Sequence, residues 1–339
     1  MEATNMSDRI ILCDVAPRDG IQNEKITLSP ALKLGLIRRI AAAGVPWIEV
    51  ASFASPKWVP QMADAEEVFR VASKIPGIRP IVLVLNDRGY ERAVAAGARY
   101  IRLVVAATDT MNRKNAHALP DATMDSYKPI FVRAPGDGVE LTGTIATAFG
   151  CPFEGAVDPD RVLRLAAKFV EAGAAEVDFA DTVGMAVPPQ IERILKRARR
   201  QFTAVRIGIH VHNTRNLGLA NAYAAVSAGA DVLDASTGGA GGCPFAPKAT
   251  GNIPMDDLVF MLEAMGVKTG VDLDQLLDAS RWSRKSWSTP CQRCCRRRDR
   301  AGIHRRRSRE AFDRKLICGK QVGSSTGSTL YLRRACAHS

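Results

Sequence analysis

Eight short apolar runs, rich in β-branched residues, recur along the first 280 residues, and stretches of helical spacing separate them. The runs are 10–15 (IILCDV), 47–51 (WIEVA), 80–85 (PIVLVL), 100–106 (YIRLVVA), 139–147 (VELTGTIAT), 175–180 (AEVDFA), 206–211 (RIGIHV) and 231–236 (DVLDAS). Between them, 31–43, 160–172 and 188–201 carry apolar residues at helical spacing. Several of the intervening segments end on Ala-Gly: AAAGV, AAGAR, EAGAA and SAGAD. Glycine just past a helix is a stop signal, because it adopts a left-handed conformation at little cost. Eight strands alternating with helices over about 260 residues predict a (β/α)₈ barrel. An open doubly wound sheet is the competing arrangement, but no GxGxxG follows the first run.

In a barrel of this kind the reactive groups come from the C-terminal ends of the strands and the loops beyond them. The first run leads into APRDGIQNE, with Arg18, Asp19, Gln22, Asn23 and Glu24. The second carries Glu49 and Ser52, the fifth ends near Thr147, and the sixth ends at Asp181-Thr182. The seventh ends in His210, His212 and Asn213, and the eighth leads to a glycine-rich loop with Cys243 and Asn252. Residues i and i+2 of a strand point to one face, about 6.5–7 Å apart along it. His210 and His212 can therefore approach a single metal ion, and the oxygens of Asp19 and Asn252 would complete a mixed oxygen and nitrogen site. Such a donor set suits Mg²⁺ or Mn²⁺ better than a structural zinc, which favours thiolates. The plainer reading makes both histidines hydrogen-bonded core residues. Arg18, otherwise a surface or ion-pair arginine, would beside a divalent cation suit a developing enolate. Cys243 lies near Gly238, Gly239, Gly241 and Gly242, a composition suited to a moving lid; its plainer reading is a small buried hydrophobe.

Charge separates the chain into two parts. The formal net charge is +12, but residues 281–339 hold 17 Lys and Arg against 3 Asp and Glu, leaving 30 against 32 in the first 280. The body is nearly neutral, so no nucleic-acid or membrane partner is expected of it. No apolar run is long enough to span a bilayer, and the polar N-terminus is unlike a signal peptide, which predicts a cytoplasmic protein. Cys13, Cys151 and Cys243 lie far apart, unlike a disulfide framework.

The blocks PRDGIQNE, IEVASFASPKWVPQMAD, GCPFEG, DTVGMAVP, HVHNT and GGCPFAPKATGNIPMDDLVFMLE, in this order, resemble the 3-hydroxy-3-methylglutaryl-CoA lyase family. The likeness covers residues 8–280, read as one lyase domain. It implies a metal-dependent retro-Claisen cleavage of 3-hydroxy-3-methylglutaryl-CoA to acetoacetate and acetyl-CoA, with an acyl-CoA as the small-molecule partner and a homodimer as the assembly to consider. It implies Asp19, His210, His212 and Asn252 as metal ligands and Arg18 as the group facing the enolate. Cys243 would sit on the lid and assist proton transfer, and Glu49 and Asp181 would be acids near metal and substrate. Asn213, Asp178, Ala180 and the TRN at 214–216 depart from the family pattern. They bear on acyl specificity and leave open a longer 3-hydroxy-3-methylacyl-CoA or a condensing synthase of the same superfamily.

Residues 283–339 read as a basic, disordered tail of non-native appearance. It could bind polyanions, which is the non-enzymatic reading of the chain, or form a zinc knot from Cys291, Cys294, Cys295 and His304, although no second CxxC pair follows. A third reading is a one-base frameshift after Trp282. One back-translation of SRKSWSTPCQRCC, shifted by one base, reads LEKVMVDAMPALL, an amphipathic continuation of DASRW.

Overall fold

The alternation of the apolar runs becomes a closed cylinder. The computed structural model describes residues 10–22, 24, 26–242 and 251–287. Among them, β1 (Ile11–Asp14), β2 (Trp47–Ser52), β3 (Arg79–Val84), β4 (Tyr100–Ala106), β5 (Glu140–Ala146), β6 (Glu176–Asp181), β7 (Arg206–Val211) and β8 (Val232–Ala235) pair in sequence order, and all are parallel. β8 pairs back onto β1, with Ile11 opposite Val232 and Asp14 opposite Ala235. The ring is closed, so the open-sheet alternative is excluded. Each strand lies within about one residue of the run that predicts it, apart from the fraying ends where boundaries are least determined.

The helices are α1 (Pro30–Ala42), α2 (Ala65–Ala72), α3 (Asp87–Ala95), α4 (Asp109–Ala116), α5 (Pro120–Arg133), α6 (Pro159–Ala172), α7 (Pro188–Gln201), α8 (Gly218–Ser227), α9 (Met255–Ala264) and α10 (Leu273–Trp287). Gly44, Gly97, Gly173 and Gly229 stop four of them with φ of 86°, 98°, 105° and 89°, as the Ala-Gly endings predict. Among the described residues no helix is long and apolar enough to cross a membrane. They all fall in the first of the chain's two units, which ends at Cys295; the second, from Arg296, lies outside them, as does nearly all of the basic tail.

Successive strand residues point to opposite faces. On β4 the outward residues are Ile101, Leu103 and Val105, on β6 Val177 and Phe179, on β7 Ile207 and Ile209. All are buried in one apolar layer with helix residues such as Leu36, Ile37, Phe69 and Phe169. At Gly143 on β5 a β-carbon would stand 2.2 Å from Cγ of Phe169, so the ring from α6 sits directly on bare backbone. The inward residues differ. The first residues of the strands close the floor: Arg79 lies 4.3 Å from the Trp47 ring and 4.0 Å from the Tyr100 ring, and is paired with Glu140 at 2.7 Å. Above them the even-numbered strands supply a charged layer of Glu49, Arg102, Glu176, Asp178 and Asp234, all buried. Barrel interiors are more often filled by branched aliphatic side chains at this level.

Candidate metal centre and active site

Three local devices bring the predicted donors together at the C-terminal mouth. Beyond β1 the chain makes a π-helical turn, Ala16–Gly20, closed by the Gly20 N–H donating to Val15 O at 3.1 Å. Such wide turns are frequent at functional sites. This one presents Arg18 and Asp19 side by side. On β2 the register against β3 slips between Glu49 and Ala51, a bulge that re-aims the strand at Glu49. The segment after the glycine-rich loop is clamped to two strand ends: Asn213 N–H donates to Gly251 O at 2.7 Å, and Ser236 N–H to Ile253 O at 3.0 Å. That places Asn252 opposite His212.

Asp19, His210 and His212 offer one ligand atom each within 4.8 Å of one another. The two Nε2 atoms of the histidines are 3.1 Å apart. His210 Nδ1 lies 3.1 Å from Asp234 Oδ2, so its proton belongs on Nδ1 and its Nε2 lone pair faces the site. The Asn252 amide donates to Asp19 Oδ2 at 2.8 Å and to Ala240 O at 3.1 Å; its Oδ1 is buried and has no partner among the described residues. An orphaned amide oxygen, a carboxylate and two converging imidazoles form a donor set that fits one hard divalent cation.

Arg18 is buried beside this cluster. Its Nε donates to Glu49 Oε2 at 2.8 Å and its NH1 to Asp19 Oδ1 at 2.7 Å. Burial works against its charge, but Glu49 and Asp19 more than offset that and hold its pKa above the usual arginine value. Burial also opposes the charge of Asp19, and Arg18 and the two histidines outweigh it, leaving Asp19 below the usual carboxylate range. Burial, with the neighbouring His210 second, pushes His212 down to about 3, so it stays neutral. The His210 ring is penalised by burial yet raised by Asp234, its hydrogen-bond partner.

The other sequence-predicted residues divide by what they touch. Asp181 is buried and accepts from Met185 N–H at 2.8 Å and from Ala186 N–H at 3.2 Å, fixing the turn into α7; burial pushes its carboxyl up to about 6. Ser52 accepts from Ala54 N–H. Thr147 is held at φ +54°, a strained position for a β-branched residue, by the Thr182 hydroxyl accepting its N–H at 2.8 Å. Of the departures from the family pattern, Asn213 accepts from the Gly218 N–H at the start of α8, and Arg215 reaches Gly184 O, so both tie loops together. Asp178 lies inside the barrel, accepting from Thr144 Oγ1 at 3.2 Å. Cys243 and Asn23 lie outside the described residues.

Arg102 and Asp234 are absent from the sequence-based site. Arg102 NH1 donates to Asp234 Oδ2 at 2.6 Å and NH2 to Oδ1 at 3.2 Å, a bidentate pair inside the barrel. The signal that could have revealed them is parity: Arg102 in YIRLVVA and Asp234 in DVLDAS fall on the inward-facing set, whereas Asp231 has the opposite parity and pairs with Arg199 on α7.

A family model described as HMGL-like matches residues 9–282. The chain belongs to the HMGL-like family. Within it, (R)-citramalyl-CoA lyase of Chloroflexus aurantiacus is 44% identical over 285 residues, covering 81% of this chain and 90% of that protein. Human mitochondrial hydroxymethylglutaryl-CoA lyase is 37% identical over 293 residues, covering 85% and 90%. The structure of an HMG-CoA lyase from Acinetobacter baumannii, in complex with coenzyme A and 3-methylmalate, superposes with a TM-score of 0.84 at 36% identity, over 91% of this chain and all of that one. Both of these curated family members are named as CoA lyases.

Proposed function

We propose that the protein cleaves 3-hydroxy-3-methylglutaryl-CoA to acetoacetate and acetyl-CoA, with Mg²⁺ or Mn²⁺ as cofactor. The observation that carries this reading is the convergence of Asp19, His210 and His212 within 4.8 Å, with the Arg18 guanidinium bound to Asp19. A divalent cation held by those three residues and Asn252 Oδ1 would polarise the C3 hydroxyl and lower its pKa. Arg18, fixed beside the donor set by Glu49 and Asp19, would stabilise the charge that the thioester oxygen gains as the C2–C3 bond breaks. The C3 hydroxyl gives up its proton and becomes a ketone; the electron pair of the broken bond becomes the enolate. Glu49, held by Arg18, and Asp181, held by the Met185 and Ala186 N–H groups, are the two acids assigned to receive that proton. Cys243, which lies outside the described residues, is assigned on the family resemblance to return a proton to the enolate carbon.

A second substrate is favoured by the 44% identity with (R)-citramalyl-CoA lyase. Citramalyl-CoA also bears a tertiary 3-hydroxyl and a methyl group, but has one methylene fewer before the distal carboxylate. Its cleavage gives acetyl-CoA and pyruvate. The decisive experiment supplies both thioesters with Mg²⁺, and then with a chelator, and identifies the ketoacid. Acetyl-CoA release that stops with the chelator and is lost in Asp19→Ala supports the lyase reading. Acetoacetate or pyruvate names the substrate. Release that survives both the chelator and Asp19→Ala would overturn the site.

A further inference from the structure

The charged layer beneath the donor cluster is organised around one side chain. Arg102 is 2% exposed and extends from β4 to the opposite strand, β8, where it binds both oxygens of Asp234. Its guanidinium also stands 3.9 Å from Glu49 Oε2 on β2 and 4.0 Å from Glu176 Oε1 on β6. Two of these carboxylates lead to the site above. Asp234 Oδ2 is shared between Arg102 NH1 and His210 Nδ1, and Glu49 Oε2 is shared between Arg102 and Arg18. Arg102 is therefore the cation common to the supports of both His210 and Arg18. We propose that Arg102 is a positioning residue for the metal centre: by clamping Asp234 in a bidentate pair it fixes the ring and tautomer of His210, and by facing Glu49 it steadies Arg18. The inference rests on reading Asp19, His210, His212 and Asn252 as a cation site.

The physical reason is geometric. A carboxylate with one hydrogen bond can swing about its last torsion; one gripped through both oxygens by a planar fork cannot. His210 inherits that rigidity through Asp234. Asp234 is the partner one step removed from His210, and loss of such a partner typically changes metal affinity by about 10–100-fold; Arg102 acts one step further out, through Asp234. Without Arg102 the layer would also keep Glu49, Glu176, Asp178 and Asp234 around the space the guanidinium now fills, a costly arrangement of buried acids.

The test is Mn²⁺ titration of the full chain, followed by electron paramagnetic resonance of the free ion, with a thermal melt on each variant. Arg102→Met should weaken Mn²⁺ binding about 10-fold, the lower end of the range for losing a ligand's direct partner, and lower kcat. Arg102→Lys, which keeps the charge and loses the fork, should fall between. The pair Arg102→Met with Asp234→Asn removes both charges, so it guards against failure to fold; it should regain melting temperature without regaining Mn²⁺ affinity. Arg79→Met, at the floor, is the control for a merely structural loss and should leave Mn²⁺ affinity unchanged. Affinity within twofold of wild type in folded Arg102→Met, or in the double variant, overturns the proposal, as does an equal loss in Arg79→Met. A wild type that binds Mn²⁺ but releases no acetyl-CoA overturns the lyase reading and leaves Arg102 in its role. A wild type that binds no Mn²⁺ overturns both.

Discussion

The two faces of the same strands hold opposite chemistry. Along β6, Val177 and Phe179 turn outward into the apolar layer, while Glu176 and Asp178 turn into the barrel; along β7, Ile207 and Ile209 alternate with His210. The outward set is what any helix-wrapped sheet needs, since its burial drives the fold. The inward set costs stability, because buried carboxylates and imidazoles must be paired to be tolerated. The barrel stands on its outer face and leaves the inner face to chemistry.

The sharpest way to break this contrast is to cut one residue from each face. His210→Ala should lower the rate of acetyl-CoA release by at least about 10³-fold, as loss of a principal catalytic interaction does, while the melting temperature moves by only a few degrees. Phe169→Ala, which empties the space against Gly143 and unpacks Tyr127 and Phe131, should cost about 3–5 kcal/mol, roughly 10 °C, while the folded fraction keeps its turnover. Equal loss of stability in both variants would mean that the inner face also carries the fold. Arg18→Gln comes next. Its charge partner appears chiefly in the transition state, so kcat should fall about 10²–10³-fold with a smaller change in KM. Steady-state kinetics decide this, and an effect confined to KM would assign Arg18 to substrate binding alone.

How much of this was legible in the sequence follows from the range of each interaction. The outer face was legible because it repeats locally: each run announces its strand, and each Ala-Gly its helix stop. His210 and His212 were legible because two residues on one strand share a face. The Arg102–Asp234 clamp was not, because it spans 132 positions and joins opposite strands, and no local pattern records such a pair. The tasks of Asn213 and Asp181 were also hidden. Both depart from or match a family motif, yet each side chain here holds a backbone N–H of the next turn.

A smaller effect sharpens the inner face as a source of instability. Burial pushes the Glu176 carboxyl up to about 7, from an ordinary value of 4.5, even with Arg102 and Arg206 beside it. A carboxyl that holds its proton more tightly folded than unfolded withdraws stability as pH rises between the two values. The loss should therefore accumulate from about pH 4.5 to about pH 7 and then level off. Glu176→Gln cannot ionise, so its stability relative to wild type should improve by on the order of 2 kcal/mol between pH 5 and pH 8. Urea melts at the two pH values measure this; a difference independent of pH would show that Glu176 is ionised throughout.

The smallest effect concerns the far end of the outer face, in α10. Leu276, Ala279, Ser280 and Ser283 are buried at helical spacing, and Trp282 packs over Gly35 with the Arg39 guanidinium 4.1 Å from its ring. The stripe thus continues past Trp282, but at position 283 it meets a serine, 4% exposed, whose hydroxyl turns back to Ser280 O. In the one-base-shifted frame this position is leucine, followed by glutamate and by a lysine at the exposed position 285. Position 285 is lysine in both frames, so the discriminating position is 283, where a buried site suits leucine better than serine. We therefore expect Ser283→Leu to raise stability by about 1 kcal/mol, the worth of a few buried methylene groups less the lost hydroxyl contact. Thermal melts of the single variant and of a chain restored to that frame after Trp282 should rise together. A fall in the single variant would mean that the pocket under α10 is shaped for serine, and resequencing that finds the present frame intact would end the frameshift reading outright.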